Sequence, residues 1–140
     1  MEENGLTTMI LIDTNIFLEL FLGQEKAREC EEFLNKIAEG EIGAVVTTFT
    51  IHACEALLND SRNILIFLRN IQNSLGILIY NTSIDDEIAT AMLMNKIGLD
   101  FDDALQYYVA TKLGAEAILS YDKHFDKTDI KRKEPREYLK

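Results

Sequence analysis

The chain has 140 residues, 47% of them hydrophobic and 27% charged, enough apolar material for one domain-sized core without disulfide or metal staples. Its formal charge of -10 is uneven, with 7 Lys+Arg against 20 Asp+Glu over residues 1–122 and 7 against 4 over residues 123–140. An acidic body of that kind repels a polyanion unless metal ions neutralise the site and basic residues contact phosphates locally, which weighs against generic nucleic-acid affinity.

A single proline, no serine- or proline-rich stretch and no repeat leave no place for a linker or a solenoid. One domain over residues 1–140 is expected, with a core at about 9–126 and a basic tail over 127–140. The densest apolar runs, Met9–Ile12 and Ile77–Tyr80, fall far short of the roughly 18–20 residues that cross a bilayer, so no membrane association is expected. The start, Met1 to Gly5, is acidic where a secretory signal is basic. Cys30 and Cys54 form no Cys-x-x-Cys pair. Together these predict a cytoplasmic protein with reduced cysteines.

Met9–Ile12 is a buried-strand pattern that stops at Asp13, Thr14 and Asn15, residues suited to a helix N-terminus, and a helix follows through Phe17, Leu18 and Leu22. From Glu25 to Glu39, Ala27, Cys30, Phe33, Leu34, Ile37 and Ala38 recur at helical spacing before Gly40. Ala44–Thr47 is a second strand, and Thr50–Leu58 and Ser61–Leu75 read as helices parted near Asn59 and Asp60. Ile77–Tyr80 is a third strand. Ser83 to Asp86 reads as a capping box opening a helix whose inner face is Ile88, Ala91, Met92 and Asn95, ended by Gly98. A helix from about Asp103 to Leu113, stopped by Gly114, precedes a fourth strand at Ala117–Ser120. Strands separated by helices, and short enough to be buried on both faces, imply right-handed crossovers and a mainly parallel sheet in a three-layer α/β/α sandwich.

Ligands of such sheets bind beyond the carboxyl ends of the strands. Asp13 follows the first strand and Asp122 the fourth; Asp103 opens the helix before the fourth strand, and Glu55 lies on the helix after Thr47. Gathered carboxylates repel one another and hold protons unless a hard divalent cation replaces them. Oxygen ligands without a Cys/His set indicate Mg²⁺ or Mn²⁺ rather than zinc. Each acid also has a structural reading: Asp13 as an N-cap, Asp102 capping a helix that begins at Asp103, Glu55 on a solvated face, Asp122 starting a turn.

Asp13-Thr14-Asn15 behind an apolar strand, the Thr50-x-x-x-x-Glu55 spacing, Asp103-Ala104 opening a helix and Ser120-x-Asp122-x-x-Phe125 after a strand together resemble the PIN-domain nucleases over residues 9 to about 126. The resemblance implies a metal-dependent endoribonuclease, as in the VapC-type toxins of toxin–antitoxin pairs, with RNA as substrate, an antitoxin protein as partner and a homodimeric state. It implies Asp13, Glu55, Asp103 and Asp122 as catalytic metal ligands, with Asn15 and Ser120 holding them by hydrogen bonds. Ser120 stands where Thr is usual in the family, and Asp100, Asp102 and Asp126 crowd the fourth ligand place. No residue is assigned to RNA recognition. The competing expectation is a PIN-like module that binds RNA or protein without cutting.

His52 and His124 titrate near neutral pH, and His52 is expected on a helix surface flanking Glu55. Tyr107, Tyr108 and Tyr121 are candidates to stack on unpaired bases. Lys131, Arg132, Lys133 and Arg136 form the sole basic cluster, suited to phosphates or an acidic partner. Core packing is the default for Phe33, Ile37, Phe67 and Leu68, with a homodimer face or an antitoxin groove as the alternative.

Overall fold

The structure, a computed structural model, describes residues 9–139; the acidic start on which the signal reasoning rests lies outside them. The elements run β1 (Met9–Ile12), α1 (Thr14–Phe21), α2 (Ala27–Ala38), β2 (Gly43–Thr47), α3 (Thr48–Leu58), α4 (Ser61–Asn73), β3 (Ile77–Tyr80), α5 (Ile84–Ile97), α6 (Phe101–Leu113), β4 (Ala117–Leu119) and β5 (Lys131–Lys133), with 3-10 turns at Lys123–Lys127 and Pro135–Tyr138. The sheet has the order β3-β2-β1-β4-β5, and every pairing is parallel.

Strand alternation divides the apolar residues into two cores, as the pleat requires. Ile10, Ile12, Ala44, Val46 and Leu119 face a cluster with Phe17, Cys30, Phe33, Ile37, Phe67 and Ile71 from α1, α2 and α4. Leu11, Val45 and Ile118 face Leu105, Val109 and Ala110 of α6 and Phe125. This is the α/β/α sandwich the strand and helix order predicts. Both cysteines are free and buried, and no helix among the described residues is long and apolar enough to cross a membrane.

Four expectations need correction. The α5 face predicted to point inward points out: Ile88 is 53% and Met92 74% exposed, and Ala91 and Asn95 are exposed too. Apolar residues lie all round this helix, and a polar anchor decides its rotation. Asp86 of the Ser83 capping box is buried, where it accepts hydrogen bonds from Lys112 and Tyr80, and Thr90 sits beneath it, bonded to its carbonyl. Secondly, β3 is not covered on both faces, since it is an edge strand with Leu78 and Ile79 half exposed. Thirdly, the alternative reading fails for Phe33, Ile37 and Phe67, which are fully buried core residues.

The fourth correction concerns the basic tail, part of which joins the sheet. Lys131–Lys133 pair with β4, Arg132 is held between Asp126, Glu134 and the Ser120 carbonyl, and the Tyr138 ring packs on Phe33. Arg132 is therefore committed to binding β5 to the body rather than to phosphates.

Candidate metal centre

The sheet turns back on itself at β1: β2 and β3 lie to one side, β4 and β5 to the other. The crevice beyond the carboxyl ends of β1 and β4 is where such sheets place ligands. Asp13 stands at the end of β1 as the N-cap of α1, its backbone N–H continuing the ladder to the Leu119 carbonyl. Ser120 and Asp122 follow β4 directly, and Asp122 caps the first 3-10 turn.

Asp13 is nearly buried, and every hydrogen bond to it comes from a neutral donor. Its Oδ1 accepts from the Thr14 N–H at 2.9 Å and Gln106 Nε2 at 3.2 Å; its Oδ2 accepts from Ser120 Oγ at 2.7 Å and Asn15 Nδ2 at 3.3 Å. Burial raises its pKa, these bonds pull it back in part, and Asp122 raises it further. Asn15 also donates to Ser120 Oγ and accepts from the Tyr121 N–H, while Ser120 Oγ accepts from the Asp122 N–H. Asn15 and Ser120 thus tie the two strand ends together.

A second support lies behind Asp13 and was not foreseen. Gln106, 1% exposed, reaches from α6 to Asp13 and to Thr50 Oγ1, and accepts from Thr47 Oγ1 at 3.0 Å. Thr50 in turn contacts Thr14 at 3.0 Å. The available signal was a glutamine on the buried face of α6, next to Leu105 and three residues after Asp103.

Asp103 and Asp122 line the same cleft as Asp13, together with Asp102, Phe49 and Ala53. Desolvation, then Asp122, Asp102 and Asp13 in turn, push the Asp103 carboxyl up to about 6, against a pull from His124. Helix α6 begins at Phe101 rather than Asp103, with Asp100 at its N-cap position making no side-chain cap bond; Asp102 Oδ1 accepts instead from the Asp103 N–H at 3.0 Å. Asp102 is thereby set at the cleft, whereas Asp100 borders a neighbouring hollow and Asp126 pairs with Arg132.

Glu55 does not join them. Helix α3 turns Phe49, Ala53 and Leu57 to the cleft, and a residue two positions beyond Ala53 lies about 200° further round the helix. Ala53 occupies the helical position that faces the carboxylates. His52 is exposed on α3, while His124 stands in the cleft mouth, its Nδ1 3.1 Å from Asp122 Oδ1 and 3.4 Å from Asp103 Oδ2. The tyrosines are engaged within the fold: Tyr107 donates to Asp129, Tyr121 to Glu29, and Tyr108 lies near Lys112.

The donor set fits a divalent cation. Asp13, Asp102, Asp103 and Asp122 line the cleft with no Lys or Arg among the lining residues, and burial first, then the neighbouring acids, raise the Asp103 pKa, a strain that a cation would relieve.

No curated protein matches the chain in sequence. In structure it is similar to Mycobacterium tuberculosis VapC20, a sarcin-ricin loop cleaving toxin, at 16% identity and TM-score 0.72 over 86% of this chain and 95% of that one. It is also similar to a toxin–antitoxin complex from Klebsiella pneumoniae, at 19% identity and TM-score 0.70 over 90% and 97%. A third likeness is to VapBC2 of Rickettsia felis bound to a promoter DNA fragment, at 12% identity and TM-score 0.65 over 90% and 98%. These likenesses concern the fold; in sequence, the PIN domain family matches residues 10–131, most of the chain, and the chain belongs to that family.

Proposed function

We propose that the protein is a Mg²⁺- or Mn²⁺-dependent endoribonuclease, acting in the cytoplasm as the toxin of a toxin–antitoxin pair. The observation that carries this reading is that Asp13, Asp102, Asp103 and Asp122 line one cleft with no Lys or Arg in its lining, the donor atoms of Asp103 and Asp122 lying within 4.8 Å of one another. Asp13, Asp103 and Asp122 would hold the ion, with Asp102 beside them in the fourth place and Glu55 outside it. When bound, such an ion supplies Lewis acidity toward a phosphoryl oxygen and eases deprotonation of attacking water.

The chain's own residues do the rest. Ser120, Asn15 and Gln106 fix both oxygens of Asp13, so the carboxylate cannot swing. The neutral donors leave its negative charge available. Phe49, Leu57 and Leu18 wall the cleft on its apolar side and limit the directions from which a strand can enter.

The antitoxin expectation gains support from a groove between α1, α2 and α4, whose partly exposed apolar lining is Leu20, Phe21, Leu34 and Ala38, which suits the apolar face of a partner helix. For a homodimer, the exposed Ile84, Ile88 and Met92 of α5 and the β3 edge offer an unpaired apolar surface. The absence of an α3 carboxylate from the cleft favours a second reading, a module that binds RNA without cutting.

One assay separates them: cleavage of single-stranded RNA with Mg²⁺, Mn²⁺ or EDTA, by the native chain and by Asp13→Asn. Cleavage that needs the ion and falls by more than about 100-fold in the variant is expected, beyond the loss typical of a supporting residue. Cleavage in EDTA, or undiminished in Asp13→Asn, would sink the nuclease assignment; binding without cleavage would establish the second reading.

A further inference from the structure

The His124 imidazole sits beside the acids of the cleft, against Asp103 and Asp122. The His124 side chain is 65% exposed, and among the described residues its ring contacts no hydrogen-bonding partner other than Asp103 and Asp122. Its position is nonetheless fixed. The His124 N–H donates to Asp122 Oδ1 at 2.9 Å and the neighbouring Phe125 is buried, so the 3-10 turn holds the ring over the acids.

The spacing suits a shared ion. Donor atoms of Asp103, Asp122 and His124 all lie within 4.8 Å of one another. Octahedral ligands at about 2.1 Å sit about 3 Å apart when adjacent and about 4.2 Å apart when opposite. The 3.1 and 3.4 Å separations from Nδ1 to the two carboxylates are those of adjacent ligands. An octahedral ion held by Asp13, Asp103 and Asp122, with Asp102 beside them, has ligand places left over, and α3 brings Ala53 rather than an acid to the cleft.

We propose that His124 is a nitrogen ligand of the metal centre, binding through Nδ1 beside Asp103 and Asp122, and that it biases the site toward Mn²⁺ over Mg²⁺. This rests on the metal-site reading above. An imidazole is a borderline-soft donor that Mg²⁺ takes up poorly, whereas affinity for nitrogen ligands climbs along the first-row series that begins with Mn²⁺. Replacing one anionic oxygen by a neutral nitrogen also lowers the charge the site must carry without an ion.

The test is pulsed electron paramagnetic resonance of the Mn²⁺-loaded protein, with calorimetric titration of Mn²⁺ and Mg²⁺, on the native chain, His124→Asn and His52→Asn. The exposed position of His124 lets the variant fold, which circular dichroism verifies. Expected is a ¹⁴N coupling to Mn²⁺ in the native chain and in His52→Asn that disappears in His124→Asn, with Mn²⁺ affinity down about 10-fold or more and Mg²⁺ affinity changed by less than about 3-fold. Mn²⁺ bound without ¹⁴N coupling, or a coupling that survives in His124→Asn, overturns the ligand assignment and leaves the metal site standing. No Mn²⁺ binding by the native chain overturns both.

Discussion

Two sets of buried aspartates show how one residue type serves opposite ends in this molecule. Asp86, 2% exposed, accepts from Lys112 Nζ at 2.8 Å, Tyr80 Oη at 2.7 Å and the Ser83 N–H at 3.0 Å. Lys112 first, then the Ser83 bond, hold its carboxyl far below the usual range against its burial. Asp13 and Asp103 are pushed the other way, chiefly by desolvation and then by their acidic neighbours in the case of Asp103. The Asp86 group is complete without a ligand and stabilises the fold. The cleft group has no basic partner among its lining residues and is held at a cost to stability, the pattern expected of the proposed binding site.

The largest expected effect lies on the structural side. Asp86→Ala leaves a lysine, a tyrosine hydroxyl and a helix-capping N–H without their acceptor, a loss of about 3 kcal/mol. Thermal unfolding should drop by roughly 10 °C, while Mn²⁺ binding by the folded variant is unchanged. A variant that keeps its stability would show that α5 is rotated by packing, not by Asp86.

The cleft gives a somewhat smaller effect of opposite sign in pH. Asp103 titrates at about 6 in the folded chain against 3.8 for a free carboxyl, so between those values the folded state holds a proton that the unfolded state has lost. Stability of the metal-free protein therefore falls as pH rises through about 4 to 6, and Asp13 acts in the same direction. Asp86 behaves inversely, contributing stability above about pH 4 that is lost on acidification. Asp103→Asn should flatten the fall between pH 4 and 6 seen in EDTA. A fall unaltered in that variant would place its source elsewhere.

The cleft and the fold differ in how legible they were from sequence. Apolar runs ending in Asp13 and Asp122 set out β1 and β4, and glycines at positive φ, Gly98 and Gly114, end α5 and α6 as expected. Strand β5 was illegible because Lys131–Lys133 carry no apolar pattern; they pair through the backbone and are anchored by Arg132. The rotation of α5 was misread because its apolar residues favour no face, and the buried Asp86, paired with a partly exposed Lys112, outweighs them. Gln106 was missed for the same reason in reverse: a polar side chain on an apolar face shows its purpose only when its partner, 93 positions away, is brought beside it.

Glu55 carries the smallest expected effect and the sharpest discrimination. Its spacing from Thr50 made it a candidate ligand, yet the helix that directs Thr50 to Gln106 and Ala53 to the cleft does not bring Glu55 into the cleft lining. A partly exposed acid outside the site is worth no more than about 0.5 kcal/mol, so Glu55→Gln should alter RNA cleavage and Mn²⁺ affinity by no more than about twofold. Asp122→Asn, at the strand end, removes a cleft carboxylate outright and should abolish both. A loss in Glu55→Gln that approaches that of Asp122→Asn would mean that α3 rotates when the ion binds, and that the acidic cleft described above is a resting arrangement of the site.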